Sequence, residues 1–189
     1  MDKILFINAC VRKTSRTFEL AKCALDCIEG DVKDVRLEYE DIKPLNEKSL
    51  AERDSLIEKG DFSNEMFNFA RDFAESDIIV IAAPYWDLSF PSLLKVYFEN
   101  ITVCGIAFRY SNGIPQGLCK AKRLIYITSA GGKIYINSGF DYVKALSQGL
   151  YGINDVILFK AEGLDEDFCN VNAIIDKCKR EIRETLISM

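Results

Sequence analysis

Four apolar runs of strand length punctuate the chain: ILFIN at 4–8, DIIVIAAP at 77–84, RLIYITS at 123–129 and DVILFKA at 155–161. Each is continuous rather than alternating, the pattern of a parallel strand buried on both faces. A fifth run, VKDVRLEY at 32–39, alternates apolar with charged positions and predicts a more exposed edge strand. Between the runs, apolar residues recur at helical spacing over 17–29, 63–75, 91–101, 138–150 and 170–187. Ser15 or Thr17 can cap the first helix. Pro91 suits the start of the third, where its missing N–H costs nothing. The polar stretch 40–62 reads as a surface connection with some helix. Strand and helix alternate throughout, which predicts an α/β fold: a doubly wound parallel sheet with helices on both faces. No repeat, low-complexity tract or linker interrupts the order, so residues 1–189 read as one domain.

Composition narrows the function classes. Apolar residues make up 49% and charged residues 28% of 189, an ordinary globular balance with room for a substantial core. The net charge of −5 argues against a nucleic-acid partner, which needs a basic patch, and against an anionic membrane surface. No apolar run approaches the roughly 18 residues of a spanning helix. The first residues, MDKILFINAC, open straight into a strand with no cleavable signal, and a cytoplasmic address is expected. Seven cysteines, an odd and scattered set, read as reduced thiols rather than a disulfide framework. Cys23 and Cys27 stand at i, i+4, but without a second close pair or any histidine no metal site is expected. The absence of histidine also excludes Ser-His-Asp and Cys-His mechanisms.

In a doubly wound sheet, ligands bind beyond the carboxyl ends of the strands. Three loops leave those ends. The first, CVRKTSRT at 10–17, gathers Arg12, Lys13 and Arg16 with the hydroxyls of Thr14, Ser15 and Thr17 at a helix start. Free N–H groups and the positive end of the helix dipole make that an anion site. Cations at a helix start are otherwise disfavoured, and a bound phosphate removes the conflict. Five residues separate Cys10 from Arg16, the spacing of a cysteine-phosphatase loop. Seven cysteines and nine arginines produce such a spacing by chance in about one chain in three of this length, so it is weak by itself. The loop also lacks glycine, which helps such turns aim several N–H groups at one anion.

The second loop, APYWDLSFPSLLK, places Pro84, Tyr85, Trp86, Asp87 and Leu88 directly after a buried strand. Two large aromatics at a ligand edge suit a flat heteroaromatic ring; the alternative is that they cover the core or a partner subunit. The third, TSAGG, brings Ser129, Ala130, Gly131 and Gly132, where missing Cβ atoms let backbone approach a ligand.

Taken in order, SRT, APYWDLSFPSLLKVYFEN, GIAFRYSNGIPQGL, ITSAGG and YGINDVILFKAEGL resemble the FMN-dependent NADH-azoreductases and related NAD(P)H:quinone oxidoreductases of the flavodoxin-like fold. The resemblance covers nearly the whole chain and implies a five-stranded sheet of order 2-1-3-4-5. It implies FMN as cofactor, NADH or NADPH as donor, and ping-pong transfer of two electrons to a quinone or azo compound. It also implies a homodimer with the active sites at the subunit interface. By position, Ser15, Arg16 and Thr17 match the phosphate-binding stretch, with Cys10 and Arg12 beside it. Pro84–Leu88 match the loop along the flavin edge, and Ser129–Gly132 the loop near its polar end. Phe108 and Tyr110 match aromatic positions near the substrate pocket; Tyr135, just after the glycines, reads as a proton donor to that pocket, with ordinary packing as the alternative. Cys10 stands where such enzymes commonly carry Ser, and Asp87 where they carry Asn. The Asp87 carboxylate can accept from flavin N3–H or repel charge on a reduced ring; otherwise it turns away, toward solvent or Lys95. No residue that would read the nucleotide ribose is identifiable.

Two other functions remain open on the sequence. A one-electron flavodoxin-type carrier would share the FMN loops, and a cysteine phosphatase would use Cys10 as nucleophile and Arg16 as phosphate holder.

Overall fold

A computed structural model describes residues 1–187. Its centre is a parallel sheet of five strands, β1 (Lys3–Asn8), β2 (Asp31–Arg36), β3 (Ile78–Ala82), β6 (Arg123–Ser129) and β7 (Asp155–Ala161). Their spatial order is β2-β1-β3-β6-β7. Counting only these strands, that is the expected 2-1-3-4-5. Register is continuous across the sheet: Asn8 stands beside Ala82, and Ala82 beside Ile127. The strand ends that carry the three loops therefore lie side by side.

The apolar runs become strands for the expected reason. Leu5 and Ile7 enter one core layer and Ile4 and Phe6 the other, so both faces of β1 are covered. One layer lies under α1 (Arg16–Leu25) and α6 (Val171–Ile187). The other lies under α3 (Asn68–Glu75), α4 (Ser92–Ile101) and α5 (Ser138–Leu146). The segment 40–62 contains α2 (Glu47–Glu58), which buries none of its residues fully and starts with a capping box between Asn46 and Ser49.

Several boundaries differ from the sequence reading. The edge strand stops at Arg36, because Leu37 turns into the core on a short 3-10 turn. The first helix ends at Leu25, where tighter bonds from Cys27 and Ile28 close its last turn. The fifth helix widens after Leu146 into a π-helical turn over Ser147–Tyr151, stopped by Gly152 at φ 81°. A further element went unread: a hairpin of β4 (Phe108–Ser111) and β5 (Ile114–Gly117) between α4 and β6. Its turn, Asn112-Gly113 at φ 52° and 77°, is the left-handed pair that two-residue hairpins favour.

Candidate functional site

The first loop leaves β1 and starts α1. Ser15 caps the helix, its Oγ accepting from the Phe18 N–H at 3.2 Å. The N–H groups of Arg16 and Thr17 precede the first intrahelical bond and face outward from the helix start. Thr17 is buried and shares a 2.7 Å hydrogen bond with Ser129, which ties the head of α1 to the end of β6.

The second loop is fastened to the third. The Tyr85 N–H donates to the Ser129 carbonyl at 3.1 Å, and the Tyr85 hydroxyl donates to the Ile136 carbonyl at 2.7 Å. Trp86 and Ser89 exchange both backbone bonds, at 3.1 and 2.7 Å, around a tight turn formed by Asp87 and Leu88. Both turn residues are left-handed, at φ 49° and 63°. Asp tolerates that region; Leu there is strained. The Leu88 carbonyl accepts from the Ser138 N–H at 3.0 Å, so the turn rests on the head of α5.

These loops enclose a cleft of about 580 Å³ at the carboxyl end of the sheet. Arg12, Thr14, Ser15, Arg16 and Thr17 form its polar end, Pro84, Tyr85 and Trp86 one wall, and Ser129, Ala130 and Gly131 its floor. Twelve residues drawn from three separate loops thus face one space, ten of them expected site residues and the other two Val11 and Thr14.

Seven expected residues do not line it. Cys10 is 4% exposed, its N–H donating to Asn8 Oδ1 at 3.0 Å and its thiol turned to the Ala82 carbonyl at 3.7 Å. Burial pushes that thiol up to about 11, against smaller lowering by a Ser15 hydrogen bond and the Arg36 charge. It is a protonated core residue, and the phosphatase geometry expected of Cys10 with Arg16 is absent: the nucleophile would have to be a thiolate reaching into the cleft. Asp87 and Leu88 point outward from their turn, Asp87 with no hydrogen bond or ion pair among the described residues. Lys95, the partner considered for it, pairs with Glu99 at 2.5 Å. Gly132 lies beyond the floor. Phe108 is buried and stacks edge-on against Tyr110, with ring centres 5.5 Å apart. Tyr110 and Tyr135 are 62% and 90% exposed, outside the cleft. So Phe108, Tyr110 and Tyr135 form no substrate pocket within a single chain.

A fourth loop, following β7, supplies lining that the sequence reading passed over. Leu164 and Asp165 border the cleft. The segment is zipped to the floor loop by three backbone bonds: Gly163 N–H to the Gly132 carbonyl at 3.0 Å, Leu164 to Ala130 at 3.2 Å, and Asp165 to Gly131 at 2.9 Å. Asp165 Oδ1 meets Arg16 Nη1 at 2.8 Å. The signal was available: the rule that ligands gather beyond strand ends applies to the last strand as much as to the others. Among the described residues, no helix is long and apolar enough to cross a membrane, and no group of three or more His, Cys, Asp or Glu could hold a metal ion.

Residues 2–186 match the family described as having the flavodoxin-like fold. The chain is 33% identical to an FMN-dependent NADH:quinone oxidoreductase of Clostridium beijerinckii, with 98% of each chain covered. It is 31% identical to an enzyme of the same description from Lachnoclostridium phytofermentans, with 96% of each covered. The fold is shared with an azoreductase of Bacillus anthracis, at a TM-score of 0.86 and 20% identity over the full length of both. It is shared too with an FMN-dependent NADH-azoreductase of that species solved in complex with FMN, at 0.82 and 22% over 98% of each. With the strand order, the cleft and these full-length matches in agreement, the chain belongs to the flavodoxin-like fold family, among relatives described as FMN-dependent NADH:quinone oxidoreductases.

Proposed function

We propose that the chain is an FMN-dependent NAD(P)H oxidoreductase that passes two electrons to quinones or azo compounds by a ping-pong route. The observation that carries this reading is the single cleft in which an anion-binding helix start, an aromatic wall and a backbone floor meet. Its volume of about 580 Å³ lies within the roughly 300–1,000 Å³ of small-molecule sites. Its donor set suits a flavin mononucleotide: cations and hydroxyls at one end for a phosphate, and Tyr85 and Trp86 farther along for a ring. The relatives' descriptions support the same cofactor and donor.

FMN, when bound, would supply the hydride-accepting and electron-donating chemistry. The protein's share is binding and orientation. Arg16, Ser15, Thr17 and the N–H groups at the head of α1 would hold the phosphate, with Arg12 adding charge at the rim. Tyr85, fixed through Ile136, and Trp86, fixed through its turn to Ser89, would present a rigid apolar wall that keeps water from one side. Ser129–Gly131 would offer backbone groups to the polar edge of the ring. No titrating side chain is needed inside the cleft, which agrees with a chain that contains no histidine. Proton exchange is left to solvent and to the acceptor.

Exposed Trp86, Leu88, Tyr110, Ile114, Tyr135 and Ile136 support a homodimer in which a second copy completes the acceptor pocket. The absence of a membrane-spanning helix among the described residues is compatible with a cytoplasmic enzyme. Initial rates with NADH or NADPH and menadione test the kinetic order. Parallel double-reciprocal lines are expected, and intersecting lines would reject the ping-pong route. A flavin-loaded chain with no steady turnover would instead indicate a one-electron carrier.

A further inference from the structure

We propose that Asp165 is an internal competitor for the anion site, and so a specificity-determining residue of the cleft: its carboxylate holds Arg16 until a phosphomonoester displaces it. This rests on the reading of the cleft as an FMN site. Three observations carry it. The Asp165 carboxylate reaches 149 residues back along the chain to bind Arg16 Nη1 at 2.8 Å, and both residues line the cleft. The carboxylate lies against the floor loop while staying open to solvent: a Cβ added to Gly131 would come within 2.3 Å of Asp165 Oδ2. And its backbone is fixed by the bonds that zip residues 163–165 to 130–132, which anchors the acid at the edge of the cleft within reach of Arg16.

The side chains of Arg16 and Asp165 are 40% and 70% exposed. An ion pair so open to solvent is weak and easily exchanged. A phosphate at the head of α1 carries more charge than a carboxylate, and it gains the N–H groups of Arg16 and Thr17 and the hydroxyls beside them. It therefore wins Arg16, but against the competition and repulsion of a carboxylate whose backbone is anchored beside the site. A singly charged anion gains less and faces the same opponent. The consequence is selection for a phosphomonoester over weaker anions, at reduced absolute affinity. A carboxylate whose role was to aim Arg16 at the phosphate would have the opposite effect when removed.

The test is a set of titrations of the full-length chain and of Asp165→Asn, Arg16→Ala and the double variant. FMN and riboflavin are followed by flavin fluorescence, and inorganic phosphate by calorimetry. Asp165→Asn is expected to bind FMN three- to tenfold tighter, to bind phosphate tighter, and to leave riboflavin unchanged. In the Arg16→Ala background the same substitution should have no effect on FMN. Unchanged or weakened FMN binding, or an equal gain for riboflavin, overturns the proposal. If the unmodified chain binds no FMN, the functional reading fails separately. The phosphate titration then decides: tighter binding in Asp165→Asn upholds the competitor, and no change rejects it.

Discussion

Arg16 and Cys10 lie six positions apart in one loop, and the fold sends them in opposite directions. Arg16 stands in the cleft at the head of α1, while the Asn8 side chain and the Ala82 carbonyl draw Cys10 into the core. Replacing Arg16 by Ala should weaken FMN binding by about 1.5–3 kcal/mol, the scale of a hydrogen bond to a charged group. An unchanged dissociation constant in a fluorescence titration would remove this loop from the site. Cys10→Ser should leave NADH:quinone turnover within a few-fold, because a thiol held up to about 11 is neither nucleophile nor thiolate at neutral pH. The same burial has a stability consequence. An ordinary thiol titrates near 9.0, so between that pH and about 11 the folded chain keeps a proton that the unfolded chain has released. The stabilisation is whole below pH 9 and is lost as pH rises through 11. Cys119 and Cys178, pushed by burial to about 12, act in the same sense. Urea midpoints measured at pH 8 and pH 10.5 should fall with pH, and fall less in Cys10→Ser.

The chemistry of Arg16 was legible because charge and hydroxyl types at a helix start have one physical meaning wherever they occur. The orientation of Cys10 was not, because spacing along a chain does not reveal which neighbouring carbonyl a thiol will meet. Asp165 was illegible for a related reason. Nothing in LDED distinguishes a solvated acid from one that crosses a cleft, and only the pairing of residues 163–165 with 130–132 puts it there.

Among the elements, the buried strands read cleanly because packing on both faces demands unbroken apolar runs, and β1, β3, β6 and β7 had them. The hairpin had no such signature. Its strands are four residues each, largely exposed, and one contains Pro115. Only the Asn112-Gly113 turn announced it. What anchors the hairpin is close backbone contact: a Cβ at Gly117 would fall 2.2 Å from Gly152 N and from the Tyr151 carbonyl carbon. Backbone on that side cannot yield as a side chain would. Gly117→Ala should therefore destabilise the chain by about 2–3 kcal/mol. A loss below about 0.5 kcal/mol in urea unfolding would contradict the contact. The Asp87-Leu88 turn predicts the reverse sign. A left-handed Leu costs about 1–2 kcal/mol, and Asp-Gly is a favoured pair for this turn. Leu88 is half-exposed and gives up little burial. Leu88→Gly, after the greater entropy of an unfolded glycine is subtracted, should stabilise by about 0.5 kcal/mol. A destabilised variant would mean that Leu88 packs against something in solution, a second copy being the first candidate.

At the scale of the whole molecule, four parallel crossovers bring the strand ends to one edge, and the loops after β1, β3, β6 and β7 form the cleft there. Residues from positions 11 to 165 meet there, which is why no single motif identified the site and why the ordered set of segments did. The expected acceptor residues Phe108, Tyr110 and Tyr135 stay outside the cleft of one chain, two of them as exposed rings. That pattern is what a two-fold assembly would use. Light scattering at micromolar concentration should report twice the 21.4 kDa chain mass, and a 21.4 kDa particle would reject the dimer.

Whether the cleft holds a working flavin is decided by one spectroscopic titration. The purified chain is mixed with FMN, passed through a desalting column and titrated with NADH or NADPH under argon. For a flavin site in this cleft, the visible flavin absorption should stay with the protein at about one per chain, be bleached by one of the two nucleotides, and return when a quinone is added. A colourless protein after desalting, or a flavin band that neither nucleotide bleaches, would contradict it.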